Sequence, residues 1–190
     1  MRRSAILPTA IIAFLLLSCG GGNNGGGNTP PPPPPQGATF TPEATPSAPR
    51  IIVNGPSSRQ VGTITIDVYA DSISAPTYGV AFDMDFDPTI VTFNGSQQGV
   101  FLDKGFQPQL SYQAATATGA QPNPGKLIVS ATRLGNIGGV TGSGTIISLT
   151  FNILNKGGQT SLAFSNNNLL DVNGQPLPGI NWSAGKITVQ

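Results

Sequence analysis

The sequence predicts an all-β fold, a two-sheet antiparallel sandwich of about nine strands. Three observations predict it. Apolar and polar residues alternate at period two in several segments. Clusters of Gly, Pro and Asn punctuate those segments at short intervals. No long stretch carries the spacing of an amphipathic helix, and no repeat of solenoid period is visible.

The chain begins with a segment that lies outside the fold. Met1-Arg2-Arg3 is a short basic run, and Ala10 to Leu17 is apolar. That run falls short of the ~20 apolar residues a permanent membrane helix needs. Residues 1–18 read as a secretory signal peptide. It ends in Leu16-Leu17-Ser18-Cys19, which resembles the lipobox of bacterial lipoproteins. The resemblance implies diacylglycerol on the Cys19 thiol and cleavage before it. Cys19 is the single cysteine, so lipidation leaves no thiol for a disulfide, a metal site or a nucleophile. Gly20 stands where an Asp would favour inner-membrane retention, so the expected location is the outer membrane, facing the periplasm or the cell surface. Several acyl chains together anchor stably where one binds marginally.

Residues 19–50 follow as a Gly/Asn-rich and then Pro-rich linker, read as disordered and as contributing nothing to the fold. Pro30 to Pro35 favour stiff polyproline II, at ~3.1 Å per residue. Residues 51–190 form the expected domain, long enough for one real core. From Ile51 onward six basic residues face seven aspartates. Charged residues make up 9% of the chain, well below the usual ~25%. There is no basic patch, so nucleic acid is a poor partner.

The clearest strands come in order. Ile64, Ile66 and Val68 alternate with Thr65 and Asp67; Val80, Phe82, Met84 and Phe86 alternate with Ala81, Asp83 and Asp85. Ile147, Leu149, Phe151 and Ile153 alternate with Ser148, Thr150 and Asn152. Shorter candidates are Ile51–Val53, Ile90–Phe93, Leu110–Tyr112, Lys126–Thr132, Ser161–Phe164 and Lys186–Val189. Phe82, Met84, Phe86, Leu149 and Phe151 are the expected centre of the core.

Several of these segments together resemble a known family. Tyr78 to Pro88 (YGVAFDMDFDP), followed by Ile90 to Phe93, is similar to the third and fourth strands of cohesin modules. Gly125 to Ala131 (GKLIVSA) resembles the sixth strand, and Gly144 to Ile153 (GTIISLTFNI) the eighth. Ser161 to Asp171 and Gly185 to Val189 resemble the closing segments. The resemblance covers essentially all of 51–190 and implies the jelly-roll topology shared by cohesins and cellulose-binding modules. It implies a link to polysaccharide-degrading assemblies and a dockerin-like protein partner.

Enzyme chemistry finds little support. The chain has no histidine, which removes Ser/His/Asp and His-metal arrangements. Glu43 is the only glutamate and falls in the expected linker. Asp83 and Asp85 share a strand face with Cβ atoms ~6–7 Å apart. That spacing does not forbid glycosidase chemistry, but a flat sheet face offers no enclosed pocket to raise one pKa. Asp83-x-Asp85-x-Asp87 begins like an EF-hand loop, yet Pro88 stands at the glycine position and Asn94 at the acidic twelfth. Asp87 reads as a turn cap before Pro88, with a calcium site as the alternative. No cofactor is expected.

Two binding readings follow. In the first, cohesin resemblance implies partner docking on the sheet made by the family's third, fifth, sixth and eighth strands. Carried onto this chain, the outward positions are Asp83, Asp85, Ser111, Gln113, Lys126, Ile128, Ser130, Thr132, Ser148, Thr150 and Asn152. In the second, exposed aromatics stack on carbohydrate, with Tyr69 and Trp182 as candidates and polysaccharide as partner. A structural surface protein without a discrete ligand is the remaining alternative.

Overall fold

A computed structural model describes residues 36–104, 109–116, 125–135 and 137–190. Cys19, the signal peptide and the first part of the linker lie outside the described residues, as do the side chains of Ser111 and Gln113. Twelve strands are described: β1 Gly37–Pro42, β2 Arg50–Asn54, β3 Gln60–Val61, β4 Thr63–Thr77, β5 Gly79–Asp85 and β6 Val91–Gln98. The second half supplies β7 Gln109–Thr116, β8 Lys126–Leu134, β9 Val140–Ile153, β10 Gly158–Leu170, β11 Asn181–Ser183 and β12 Gly185–Val189.

They form two sheets. One has seven strands in the order β3-β1-β12-β10-β5-β8-β7, the other five in the order β11-β2-β4-β9-β6. The all-β sandwich is as the alternation predicts. The count exceeds nine because short edge strands such as β3 and β11 carry too few residues to show a period. The pairing is antiparallel except between β11 and β2, which run parallel.

The core lies where the alternating segments meet. Phe82, Met84, Phe86, Leu149 and Phe151 are all buried. Phe151 takes an edge-on contact from Phe86 at 5.3 Å and from Phe93 at 6.0 Å between ring centroids. Arg133, the one buried cation among the described residues, sits in line with Leu127, Val129 and Ala131 on the inner side of β8. Its guanidinium donates to the carbonyls of Leu102 and Lys104, which fastens the buried Phe101–Leu102 turn over the core.

The expected boundary at residue 51 is too late, and part of the expected linker is folded. β1 pairs with β12 from Ala38↔Val189 to Pro42↔Gly185, inside the seven-stranded sheet. Ala38 and Phe40 are buried. The Phe40 ring rests on two glycines: a Cβ on Gly55 would stand 2.7 Å from it and one on Gly185 2.4 Å. Both glycines are therefore needed for the close approach of β1. Gly37 also exchanges backbone hydrogen bonds of 2.9 and 2.8 Å with Gln190. Composition hid this strand because Gly37-Ala38-Thr39-Phe40-Thr41-Pro42 has one large apolar residue amid proline-rich sequence.

Candidate functional site

The outer side of the seven-stranded sheet is built by alternation along β5 and β8. Burying Phe82 and Met84 turns Asp83 and Asp85 outward; burying Leu127, Val129 and Ala131 turns Ile128, Ser130 and Thr132 outward. The β5–β8 register places Asp83 opposite Ile128 and Asp85 opposite Lys126. Lys126 Nζ lies 3.0 Å from Asp85 and 3.6 Å from Asp83, so one ammonium bridges both carboxylates. The hydrogen bond to Asp85 raises the Lys126 pKa above its ordinary value, against the opposing effect of desolvation. On the far side of β5, Asn166 Nδ2 donates to Asp83 at 2.7 Å, and Lys126 reaches Ser165 Oγ at 3.3 Å.

Ile128 stands beside this polar cluster. It is 48% exposed and Leu134 on the same strand 46%. The face thus has a partly neutralised charge cluster next to uncovered aliphatic surface. Ser111 and Gln113 occupy β7 register positions opposite Thr132 and Ser130.

The structure separates the other three expected positions from this face. Ser148, Thr150 and Asn152 lie on β9, in the five-stranded sheet. Gly144 to Ile153 therefore does not flank β5; β10 does, paired from Ala163↔Asp85 to Leu170↔Gly79. Ser165 and Asn166 of β10 stand beside Asp83 and Asp85 on this face. The missed signal is Asn166-Asn167-Asn168. A bulge between Ser165 and Asn168 interrupts the β10 register, and Asn166 adopts φ of 50°, a left-handed conformation that Asn tolerates better than most residues.

The β9 positions are already engaged. Ser148 Oγ donates to Asp67 at 2.5 Å, Thr150 and Thr65 hydroxyls meet at 2.9 Å, and Asn152 Nδ2 reaches Thr92 Oγ1 at 3.5 Å. Nearby, Arg50 pairs with Asp71 at 2.5 Å. Asp71 has its pKa lowered chiefly by the Ser72 hydroxyl, with Arg50 and Ser143 assisting against desolvation.

Tyr69 and Trp182 do not form one aromatic platform. Tyr69 alternates with buried Val68 and Ala70 and so lies on the outer side of the five-stranded sheet. Trp182 packs against the core, 5.0 Å from Phe164 and 6.0 Å from Phe82 between ring centroids. Asp87 caps a turn: its carboxylate accepts the Thr89 N–H at 2.8 Å, and this contact lowers its pKa. Among the described residues no three acidic side chains converge on it or elsewhere.

Comparison with known proteins adds an independent line. The cohesin-domain family model matches residues 49–189. No curated protein matches. The second type II cohesin module of the adaptor scaffoldin ScaA from Acetivibrio cellulolyticus superposes with a TM-score of 0.59 at 16% identity, covering 75% of this chain and 91% of that one. The sixth cohesin of scaffoldin B from the same organism, solved with a double mutant of the Cel5 dockerin, gives 0.52 at 15% identity, over 77% and 97%. The cohesin CaCohA2 from Clostridium acetobutylicum gives 0.51 at 18% identity, over 80% and 91%.

Proposed function

The chain belongs to the cohesin-domain family, and from that premise we propose that it is a non-catalytic docking module that captures a dockerin-like protein on the β10-β5-β8-β7 face. The observation that carries the reading is Ile128: an aliphatic side chain left half uncovered beside the Asp83–Lys126–Asp85 bridge. Interfaces draw most of their affinity from a few such anchors within a polar surround. The absence of histidine and the bridging of the Asp83–Asp85 carboxylate pair by Lys126 support binding over turnover.

Lipid on Cys19 would hold this module at a membrane, the outer one on the reading of Gly20, with residues 20–35 as spacer. The test has two arms. A panel of purified dockerin modules is titrated with the full mature chain, with Ile128→Asp and with Thr150→Asp. Saturable binding that Ile128→Asp removes and Thr150→Asp spares supports the docking face; equal loss in both refutes it. Cells expressing Cys19→Ser should release the protein from the membrane fraction, and retention there refutes the anchor.

A further inference from the structure

One concavity of the domain is lined by none of Asp83, Asp85, Lys126 and Ile128. It opens at a corner where the chain twice passes between the sheets, from β1 to β2 and from β11 to β12. Glu43 secures that corner. Its Oε2 accepts the Ala184 N–H at 3.0 Å and the Ser183 hydroxyl at 3.3 Å, while its own N–H donates to the Ala184 carbonyl at 3.1 Å. The cleft beside it holds about 470 Å³ and is lined by Phe164, Ile180 and Trp182, with Glu43, Asn167 and Asn181 among its polar members. That volume lies within the ~300–1,000 Å³ of small-molecule sites.

The lining has a definite chemistry. Phe164 and Trp182 meet at 74° with centroids 5.0 Å apart, a rigid aromatic wall that also contacts Phe82. Asn167 is brought to the cleft by the β10 bulge. Among the described residues neither its amide nor the Trp182 indole N–H has a hydrogen-bond partner. The cleft therefore offers an aromatic surface, unspent donors and acceptors, and one carboxylate with one oxygen engaged.

We propose that this cleft binds a short neutral saccharide, one or two pyranose rings long. A pyranose presents an apolar C–H face to an aromatic wall and hydroxyls that both donate and accept. A purely apolar ligand would strip water from Asn167 and Glu43 without replacing its hydrogen bonds, which opposes its binding. An anionic ligand would meet the Glu43 carboxylate. The cleft shares β10 with the docking face, but neither Ile128 nor Lys126 lines it, so the two can fail independently.

Trp182 is the only tryptophan in the chain, so its fluorescence reports on the cleft directly. The full mature chain is titrated with cellobiose, xylobiose and chitobiose in turn. A saturable emission change with at least one of them is expected, weakened about tenfold by Asn167→Ala and unchanged by Ile128→Asp. Glu43→Gln should also weaken binding; because Glu43 fastens the corner, thermal melting checks that this variant folds, and Asn167→Ala decides the matter if it does not. Absence of a saturable change with all three disaccharides overturns the proposal, as does one that Asn167→Ala leaves intact.

Discussion

The two outer faces of the sandwich are both polar by sequence, yet they differ in how their side chains are used. On the five-stranded face the hydroxyls, amides and carboxylates satisfy one another: Asp67 with Ser148, Thr65 with Thr150, Asp71 with Arg50. On the seven-stranded face Lys126 ties two aspartates into a cluster, and Ile128 and Leu134 stay uncovered beside it. A face whose polar groups pair internally offers a partner little, because a new contact must first break an existing one. A face with an open aliphatic patch gains by being covered. The distinction lies in pairing across strands, which no single segment displays.

The largest expected effect concerns what supports the seven-stranded face. Phe40→Ala should destabilise the domain by ~3–5 kcal/mol, as much as Phe151→Ala at the centre, because each removes a fully packed aromatic ring. Denaturant unfolding measures both. If Phe40→Ala proves nearly neutral, β1 is an accessory strap, and the seven-stranded sheet effectively begins at β12.

The next effect tests the faces against each other. Ile128→Asp should cost at least ~2 kcal/mol in dockerin affinity, whereas Thr150→Asp should cost little. Each variant must also be checked for folding, because Ile128→Asp sets a carboxylate opposite Asp83 and Thr150→Asp gives up the hydroxyl contact with Thr65. Calorimetric titration with melting curves separates the two quantities. Docking lost in the Thr150 variant alone would move the site to the five-stranded face.

A smaller effect sharpens the role of charge. Asp83→Ala with Asp85→Ala should slow association and leave Lys126 without its bridge, and the change should shrink at high salt. Since Lys126 already offsets much of the paired charge, the salt dependence should be modest. Stopped-flow association at two ionic strengths measures it; a steep dependence would mean the bridge opens before the partner arrives.

These contrasts explain how far the sequence could be read. Alternation alone placed Phe82, Met84, Leu149 and Phe151 in the core and Asp83, Asp85, Ile128 and Ser130 outside, because a buried strand face imposes period two. It could not say which sheet each strand joins. Gly144 to Ile153 has the same pattern as a strand flanking β5, and only the long-range pairing of β9 with β4 and β6 puts Ser148 and Thr150 on the other side. Asn166 was hidden for another reason: a bulge breaks the period just where the residue becomes useful. β1 was masked by the proline-rich composition around it, although Phe40 is as buried as many central residues.

The smallest effect distinguishes the faces by their response to pH. Asp71, on the five-stranded side, has a lowered pKa. Its contribution is present above the unfolded value of ~3.9 and is lost as pH falls through the still lower folded value. Lys126, on the seven-stranded side, has a raised pKa. Its contribution is present below the unfolded value of ~10.4 and is lost as pH rises through the folded one. Both side chains are partly exposed, so solvent screening keeps each contribution small. The melting temperature of Asp71→Asn should therefore trail the parent at neutral pH and converge with it in acid. That of Lys126→Met should trail at neutral pH and converge in alkali. Convergence of either pair at the opposite end of the scale would show that its ion pair is not what differs between the two faces.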